Sequence, residues 1–278
     1  MKSPKTWLKA LNIEPKKELG QHFLIDPAIA ERIVELSGIG VDDVVLEIGS
    51  GLGSLTFPAA ARGGHLFAVE KDLRIAGLLK TALTAKGVSN VVVVEKDILK
   101  IDIGEFAGTQ ENRKIIVLGN LPYNISSPVL IMLVNFRRFI SRCVLMFQKE
   151  LAQRIVSFPG SRDYGRLSVV AQYCADVKAV LEVPSSAFYP KVKVDSTVLE
   201  IKFNEKNLLP GADEEKLFKV VKAAFGKRRK TLKNALSGSE LKIPADRALS
   251  ALLQAGIDPI RRAETLSVDE FIKLSGTI

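Results

Sequence analysis

Glu47-Ile48-Gly49-Ser50-Gly51-Leu52-Gly53 constrains the folding of this chain more than any other stretch, because it closes an apolar run, residues 44–48, and opens a helical pattern near Ser54. Glycines at every second position let a backbone turn sharply and come close to a ligand. A turn of that kind between a strand and a helix is the first unit of an α/β sheet. The remainder agrees with that start. Short apolar runs at 66–69, 91–94, 115–119 and 143–147 alternate with helical patterns such as 73–86 and 128–136, the order that builds a mainly parallel sheet from βαβ units. Two further β-like stretches, 175–183 and 196–203, flank a proline-containing connection and are expected to close the sheet as a hairpin or antiparallel edge. The expected fold is α/β, a Rossmann-like sheet of about seven strands.

At 278 residues the chain has room for such a sheet and a smaller appendage. Its texture changes after Phe203: residues 204–213 contain Pro210 and Gly211, and the chain beyond them is helical in period. Helices are expected near 214–225, 228–236, 246–255 and 268–274, the last opened by Ser267 as N-cap with Glu270 at the capping-box position. The expected division is 1–204 for an N-terminal segment with the Rossmann-like domain, and 205–278 for a small all-helical domain.

Spacing narrows the ligand of the glycine loop. The glycines fall as G-x-G-x-G, whereas a pyrophosphate on a helix N-terminus calls for G-x-G-x-x-G. Glu47, just before the turn, would repel a diphosphate but tolerate a sulfonium or an ammonium. Glu70 ends the next strand, where a carboxylate accepts from ribose hydroxyls, and Asp97 follows the third, within reach of an adenine amino group. Glu47, Glu70 and Asp97 with Gly49, Gly51 and Gly53 outline S-adenosylmethionine as cofactor. The plainer reading takes the glycines as turn punctuation and the acids as solvated strand ends.

Asn120-Leu121-Pro122-Tyr123 follows the apolar run 115–119 and supplies a second half-site. An exocyclic base amine is a poor nucleophile because its lone pair is delocalised into the ring. Accepting its protons at the Asn120 side-chain oxygen and the Leu121 carbonyl would localise that pair and aim it at a methyl group, with Pro122 stiffening the turn. Tyr123 offers a ring on which a flipped-out base stacks. Phe188, in Ser186-Ala-Phe188-Tyr-Pro190, is the candidate for the base's other face, or equally a core aromatic in a hairpin loop. No metal is demanded, since a sulfonium is already a good leaving group, and His22 and His65 are too few and too far apart to suggest a metal site.

Forty Lys and Arg against 31 Asp and Glu give a net charge of +9, which favours a polyanionic partner such as nucleic acid. Cys143 and Cys174 sit in apolar segments and suit buried thiols in a reducing compartment. Neither a leader-like N-terminus nor a run long enough to span a membrane is evident, so a cytoplasmic protein is expected. Arg137, Arg138, Arg142, Arg154 and Arg166 are candidates to extend a basic surface.

Together these residues resemble the ribosomal small-subunit (16S) rRNA adenine N6,N6-dimethyltransferases. The likeness runs through Lys17-Glu-Leu-Gly20-Gln21-His22-Phe23-Leu24, the glycine loop, Asn120 to Tyr123, Tyr164-Gly-Arg-Leu-Ser168, the segment 188–196 and Phe225-Gly-Lys227-Arg228-Arg229-Lys230-Thr-Leu232. The resemblance implies that Gln21, His22 and Leu24 join Glu47, Gly49, Gly51, Glu70, Asp97 and Asn120 in holding S-adenosylmethionine. Without it, 21–24 reads as a helix-capping loop. It further implies action on small-subunit rRNA in the 30S particle, with two methyls placed on each of two adjacent adenines; a monomer is the default expectation. His22 stands where Asn is common, and Val192 where the family usually has a second proline. The Lys-Arg-Arg-Lys run separates this family from the erythromycin-resistance methyltransferases of large-subunit rRNA. That run either grips phosphates or is the solvated face of a helix. Leu121, where N6-adenine DNA methyltransferases carry proline, argues against DNA as substrate. A non-catalytic nucleic-acid-binding assembly or transcription factor of the same fold is the rival from another class, and the intact cofactor loop and tetrapeptide count against it.

Overall fold

A computed structural model describes residues 6–8, 13–107, 114–204, 209–227 and 229–278. The apolar runs of the sequence are strands in it: β1 (Phe23–Leu24), β2 (Val44–Ile48), β3 (His65–Val69), β4 (Val91–Val94), β5 (Ile115–Asn120), β6 (Ile140–Gln148), β7 (Ala175–Val183), β8 (Phe188–Tyr189) and β9 (Ser196–Phe203). β2 is buried at every position and β5 at all but its last. A strand covered on both faces reads as a continuous apolar run without polar alternation. Each Val, Leu or Ile taken from water there stabilises the fold by about 1.5–3 kcal/mol.

Seven strands form one sheet in the order β4-β3-β2-β5-β6-β9-β7. The neighbours from β4 through β6 are parallel. β9 runs antiparallel to β6, from Cys143 opposite Ile201 to Gln148 opposite Ser196. The order reverses at β2, since β3 and β4 extend the sheet to one side and β5 and β6 to the other. In open α/β sheets the ligand crevice lies at such a reversal, outside the carboxyl ends of the strands. The glycine loop follows β2 and Asn120-Leu-Pro-Tyr123 follows β5, so these two motifs flank the reversal.

β1 and β8 pair with each other as a separate antiparallel ribbon, Phe23 opposite Tyr189 and Leu24 opposite Phe188. The sequence bears no sign of this ribbon, because two-residue strands carry no periodicity. Helix Pro27–Ser37 comes next, opened by Asp26, whose carboxylate accepts from the amides of Ala28 (2.9 Å) and Ile29 (3.2 Å). Arg142 donates to the carbonyls of Ser37 (2.6 Å) and Gly38 (2.9 Å), satisfying the orphan acceptors at that helix's end. Its guanidinium is therefore anchored at this helix end.

The chain divides into two compact units, Met1–Ala152 with Lys178–Phe203, and Gln153–Val177 with Asn204–Ile278. Residues 153–177, which the sequence pattern placed with the sheet, thus group with the tail. The second unit contains helices Arg166–Cys174, Gly211–Phe225, Leu232–Ser237, Ala245–Gln254 and Val268–Thr277. Leu217, Val221, Leu236, Leu252, Phe271 and Leu274 fill its core. Tyr164 meets Phe225 edge-on, with ring centres 6.2 Å apart. Gln172 Nε2 donates to the Ser157 carbonyl at 2.7 Å, pinning the loop before Tyr164 to its helix. The expected capping box is present: Glu270 N donates to Ser267 Oγ (3.2 Å) and Ser267 N to Glu270 Oε2 (2.8 Å). The helix expected over 228–236 begins only at Leu232, with Thr231 as N-cap. Lys227, Arg229 and Lys230 are exposed before it, while Arg228 lies outside the described residues. Both cysteines are buried and unpaired with each other. No helix is long and apolar enough to cross a membrane among the described residues.

Candidate active site

The carboxyl ends of β2, β3, β4 and β5 open into a cleft lined by Glu47, Gly49, Ser50, Gly51, Glu70, Lys71, Asp97, Asn120, Leu121, Pro122 and Tyr123, with Gly20, Gln21 and His22 from the N-terminal segment. Two of its glycines are there for conformation and closeness. Gly49 (φ 72°) and Gly51 (φ 54°) adopt the left-handed backbone that side chains resist. A Cβ at Gly49 would stand 3.5 Å from the Asn120 carbonyl oxygen, and one at Gly51 would press on the Phe23 ring at 3.2 Å. The loop thereby holds its amides at the mouth of the sheet. Gly51 N donates to Glu70 Oε2 at 2.9 Å, and Asp72 N to Glu70 Oε1 at 2.8 Å.

On the opposite wall Asn120 Nδ2 donates to the His22 carbonyl at 3.0 Å, which fixes the amide plane and leaves Oδ1 as its accepting end. His22 Nδ1 lies 2.9 Å from the Pro190 carbonyl, so that nitrogen carries the proton. The His22 ring stacks on Tyr123 with centres 5.9 Å apart and planes 24° from parallel. Tyr123 is half-buried, its hydroxyl 2.8 Å from Ser196 Oγ, and burial raises its pKa. The Pro122 carbonyl accepts from Ile125 N and Ser126 Oγ, both at 3.1 Å, so the turn runs without slack into helix Ser126–Asn135.

The three acids differ in state. Glu47 is fully buried, bonded by Thr56 Oγ1 at 2.6 Å, and its pKa is pushed up to about 8 chiefly by desolvation. Burial also raises Glu70, against the opposing pull of its backbone donors. Asp97 is lowered by Lys71, whose Nζ lies 2.9 Å from Oδ2, while Oδ1 accepts from Leu99 N. Two carboxyls held back from ionising favour a cationic ligand, which would restore their charge. Ser50 adds a further sign of fit: it lines the cleft at 2 % exposure, and its hydroxyl is buried without a partner in the protein. Such a group costs about 1–3 kcal/mol unless something polar meets it. The donor and acceptor set suits an adenosyl group carrying a sulfonium.

Two expected site residues are not brought to the cleft wall. Phe188 is 2 % exposed and Leu24 1 %, and both sit in the apolar cluster that also holds Ile33, Val144, Met146 and Val198. They face each other across the β1–β8 ribbon. Tyr123 packs against the same cluster, but Phe188 itself does not line the cleft. In contrast, Ser50 and Lys71 line the cleft, and Asp72 stands beside it with its amide bonded to Glu70, although the sequence pattern singled out none of the three. Asp72 had a legible signal, since it immediately precedes a helical pattern and is the N-cap of Leu73–Ala85. Lys71 and Ser50 had none.

Similarity to known proteins agrees with this geometry. Residues 12–278 match the family model described as ribosomal RNA adenine dimethylase. A ribosomal RNA small subunit methyltransferase A of Desulforapulum autotrophicum is 53 % identical over 279 aligned positions, covering 100 % of this chain and 97 % of the relative. The protein of the same name from Moorella thermoacetica is 42 % identical, covering 95 % and 92 %. Among solved structures, a dimethyladenosine transferase from Plasmodium falciparum superposes with a TM-score of 0.75 at 27 % identity, covering 90 % of this chain and 94 % of that one. The 23S rRNA methyltransferase ErmE gives 0.67 at 26 %, covering 92 % and 98 %. With its whole length matched to small-subunit methyltransferases at up to twice the identity of the large-subunit enzyme, the chain belongs to the ribosomal RNA adenine dimethylase family.

Proposed function

We propose that this protein is an S-adenosylmethionine-dependent enzyme that dimethylates the N6 amines of two adjacent adenines near the 3′ end of small-subunit (16S) rRNA during ribosome biogenesis. The observation that carries the reading is the meeting, in one cleft, of a glycine loop ringed by acids and an Asn-Leu-Pro-Tyr turn. Bound there, the cofactor supplies a methyl on a sulfonium, which departs as a neutral thioether. Glu70, with the lone pairs its backbone donors leave over, would hold the ribose hydroxyls, Asp97 would accept from the adenine amine, and the amides of 49–51 would meet the remainder. Glu47, neutral in the free protein, ionises beside the incoming positive charge.

Asn120 Oδ1, aimed by the His22 carbonyl, accepts one proton of the target amine, and the Leu121 carbonyl accepts the other. The nitrogen is thereby drawn toward a tetrahedral shape with its lone pair free to attack the methyl. Tyr123 supports the flipped base on one face. Phe188 serves the other face only if it leaves its buried position. After transfer the extra proton passes to water, so no metal and no strong base are needed. The exposed Lys227, Arg229 and Lys230 of the helical unit grip rRNA phosphates, making that unit the docking element. The protein works in the cytoplasm as a monomer.

Purified protein with methyl-labelled cofactor should label small-subunit particles isolated from cells lacking this modification, at two neighbouring adenines and up to four methyls per particle. Equal labelling of large-subunit RNA or of duplex DNA would overturn the assignment.

A further inference from the structure

Asp72 is tied more tightly than a helix cap requires. Capping Leu73–Ala85 uses one oxygen, Oδ1, which accepts from Arg74 N at 3.1 Å. The other, Oδ2, accepts from Gln21 Nε2 at 3.1 Å and from Arg74 Nη2 at 3.0 Å, and it faces Lys16 Nζ at 3.4 Å. The Asp72 side chain is 2 % exposed. Hydrogen bonds from Arg74 and Gln21 hold its carboxyl well below the usual carboxylate range despite that burial.

Lys16 and Gln21 are themselves clasped to one another. Gln21 Oε1 accepts from Lys16 N at 2.8 Å, and the Lys16 carbonyl accepts from Leu19 N and Gln21 N at 3.2 and 3.3 Å. Residues 16–21 therefore form a closed turn whose far end, Glu18 to His22, walls the cleft. On the other side, the Asp72 amide donates to Glu70. Asp72 thus joins the N-terminal strap, through its carboxylate, to the acid at the end of β3, through its amide.

From this geometry we infer that Asp72 is a positioning residue: it latches the 16–22 strap over the cofactor cleft and so sets how long the cofactor stays bound, without touching the reacting atoms. The inference rests on the cleft being the cofactor site.

Asp72→Asn keeps the cap oxygen and the side-chain shape while removing the charge that holds Lys16 and Arg74. In the full chain, S-adenosylmethionine affinity measured by calorimetry should fall about tenfold, with kcat at saturating cofactor changing by a smaller factor. Without cofactor, trypsin should cut after Lys17 faster than in the parent protein, with the rest of the chain equally resistant. Lys16→Gln, made from the strap side, should weaken binding about threefold, and adding it to Asp72→Asn should produce no further loss. Parent-like affinity and parent-like cutting in Asp72→Asn would overturn the latch, as would independent, additive losses in the double variant. If the parent protein itself fails to bind the cofactor, the proposed function falls, and the proteolysis result alone decides the latch.

Discussion

On the wall built by the ends of β2, β3 and β4, the side chains facing the cleft include Glu47, Glu70 and Asp97. On the wall built by the end of β5, they are an amide, a proline and a phenol. The first wall uses charge whose state depends on burial and neighbours: Glu47 and Glu70 are raised, whereas Asp97 is lowered by Lys71. The second uses neutral groups whose directions are fixed by hydrogen bonds to the His22 carbonyl and Ser196. Carboxylates select and retain a cation, while an aimed carbonyl acts on a nitrogen only as it changes shape. The first wall should therefore govern affinity and the second turnover.

The sharpest way to break this division is Asn120→Ala. Turnover should drop by roughly 10²–10³ or more, while cofactor affinity measured by calorimetry stays within a few-fold. Comparable losses in both would merge the two walls into one. Glu70→Ala should do the converse, weakening the cofactor by about one to two orders of magnitude through loss of charged hydrogen bonds. Its turnover at saturating cofactor should suffer far less.

Proton linkage sharpens the first wall further. Glu47 is protonated below about pH 8 in the free protein, and a bound cation pulls its pKa down. Near pH 7, binding should release up to one proton, visible as a dependence of calorimetric heat on buffer ionisation enthalpy. Affinity should rise with pH until about 8 and then level off. The same shift works against stability. A carboxyl raised in the fold favours folding while protonated, and that contribution is lost as pH climbs from its ordinary value through about 8. Glu47→Gln should therefore melt at a higher temperature than the parent at pH 9, and it should release fewer protons on binding than the parent does. The smallest expected effect is Lys71→Met. Breaking an exposed pair changes little, and freeing Asp97 Oδ2 should tighten the cofactor by less than about threefold, read in the same titration.

How much of the fold and site was legible in the sequence depends on distance along the chain. Gly49, Glu70, Asp97 and Asn120 could be located because each follows an apolar run by a few residues, and a parallel sheet brings the ends of such runs together. β6 begins at Ile140, three residues before the expected start, because the turn Arg137–Phe139 leads straight into it with no punctuating glycine or proline. Phe188 and Leu24 could not be placed: their burial depends on a ribbon joining residues about 165 positions apart, for which neither strand has a pattern. Asp72 stands directly before a helical pattern, where a cap can be read, but its hold on Lys16 and Gln21 is a long-range contact that no local rule predicts. The membership of 153–177 was hidden for a similar reason, since apolar helices in that stretch read equally well as cover for the sheet.

That last grouping bears on how the helical unit could ever be exchanged. Because it is assembled from two separated stretches, Gln153–Val177 and Asn204–Ile278, the polypeptide leaves it and returns before finishing. Cutting the gene after Phe203 would remove most of its helices yet strand the segment that Tyr164 and Tyr173 join to them through Phe225 and Phe218. Recombination that swaps the helical unit between relatives must therefore carry both pieces, and a simple C-terminal fusion would yield a half-built one.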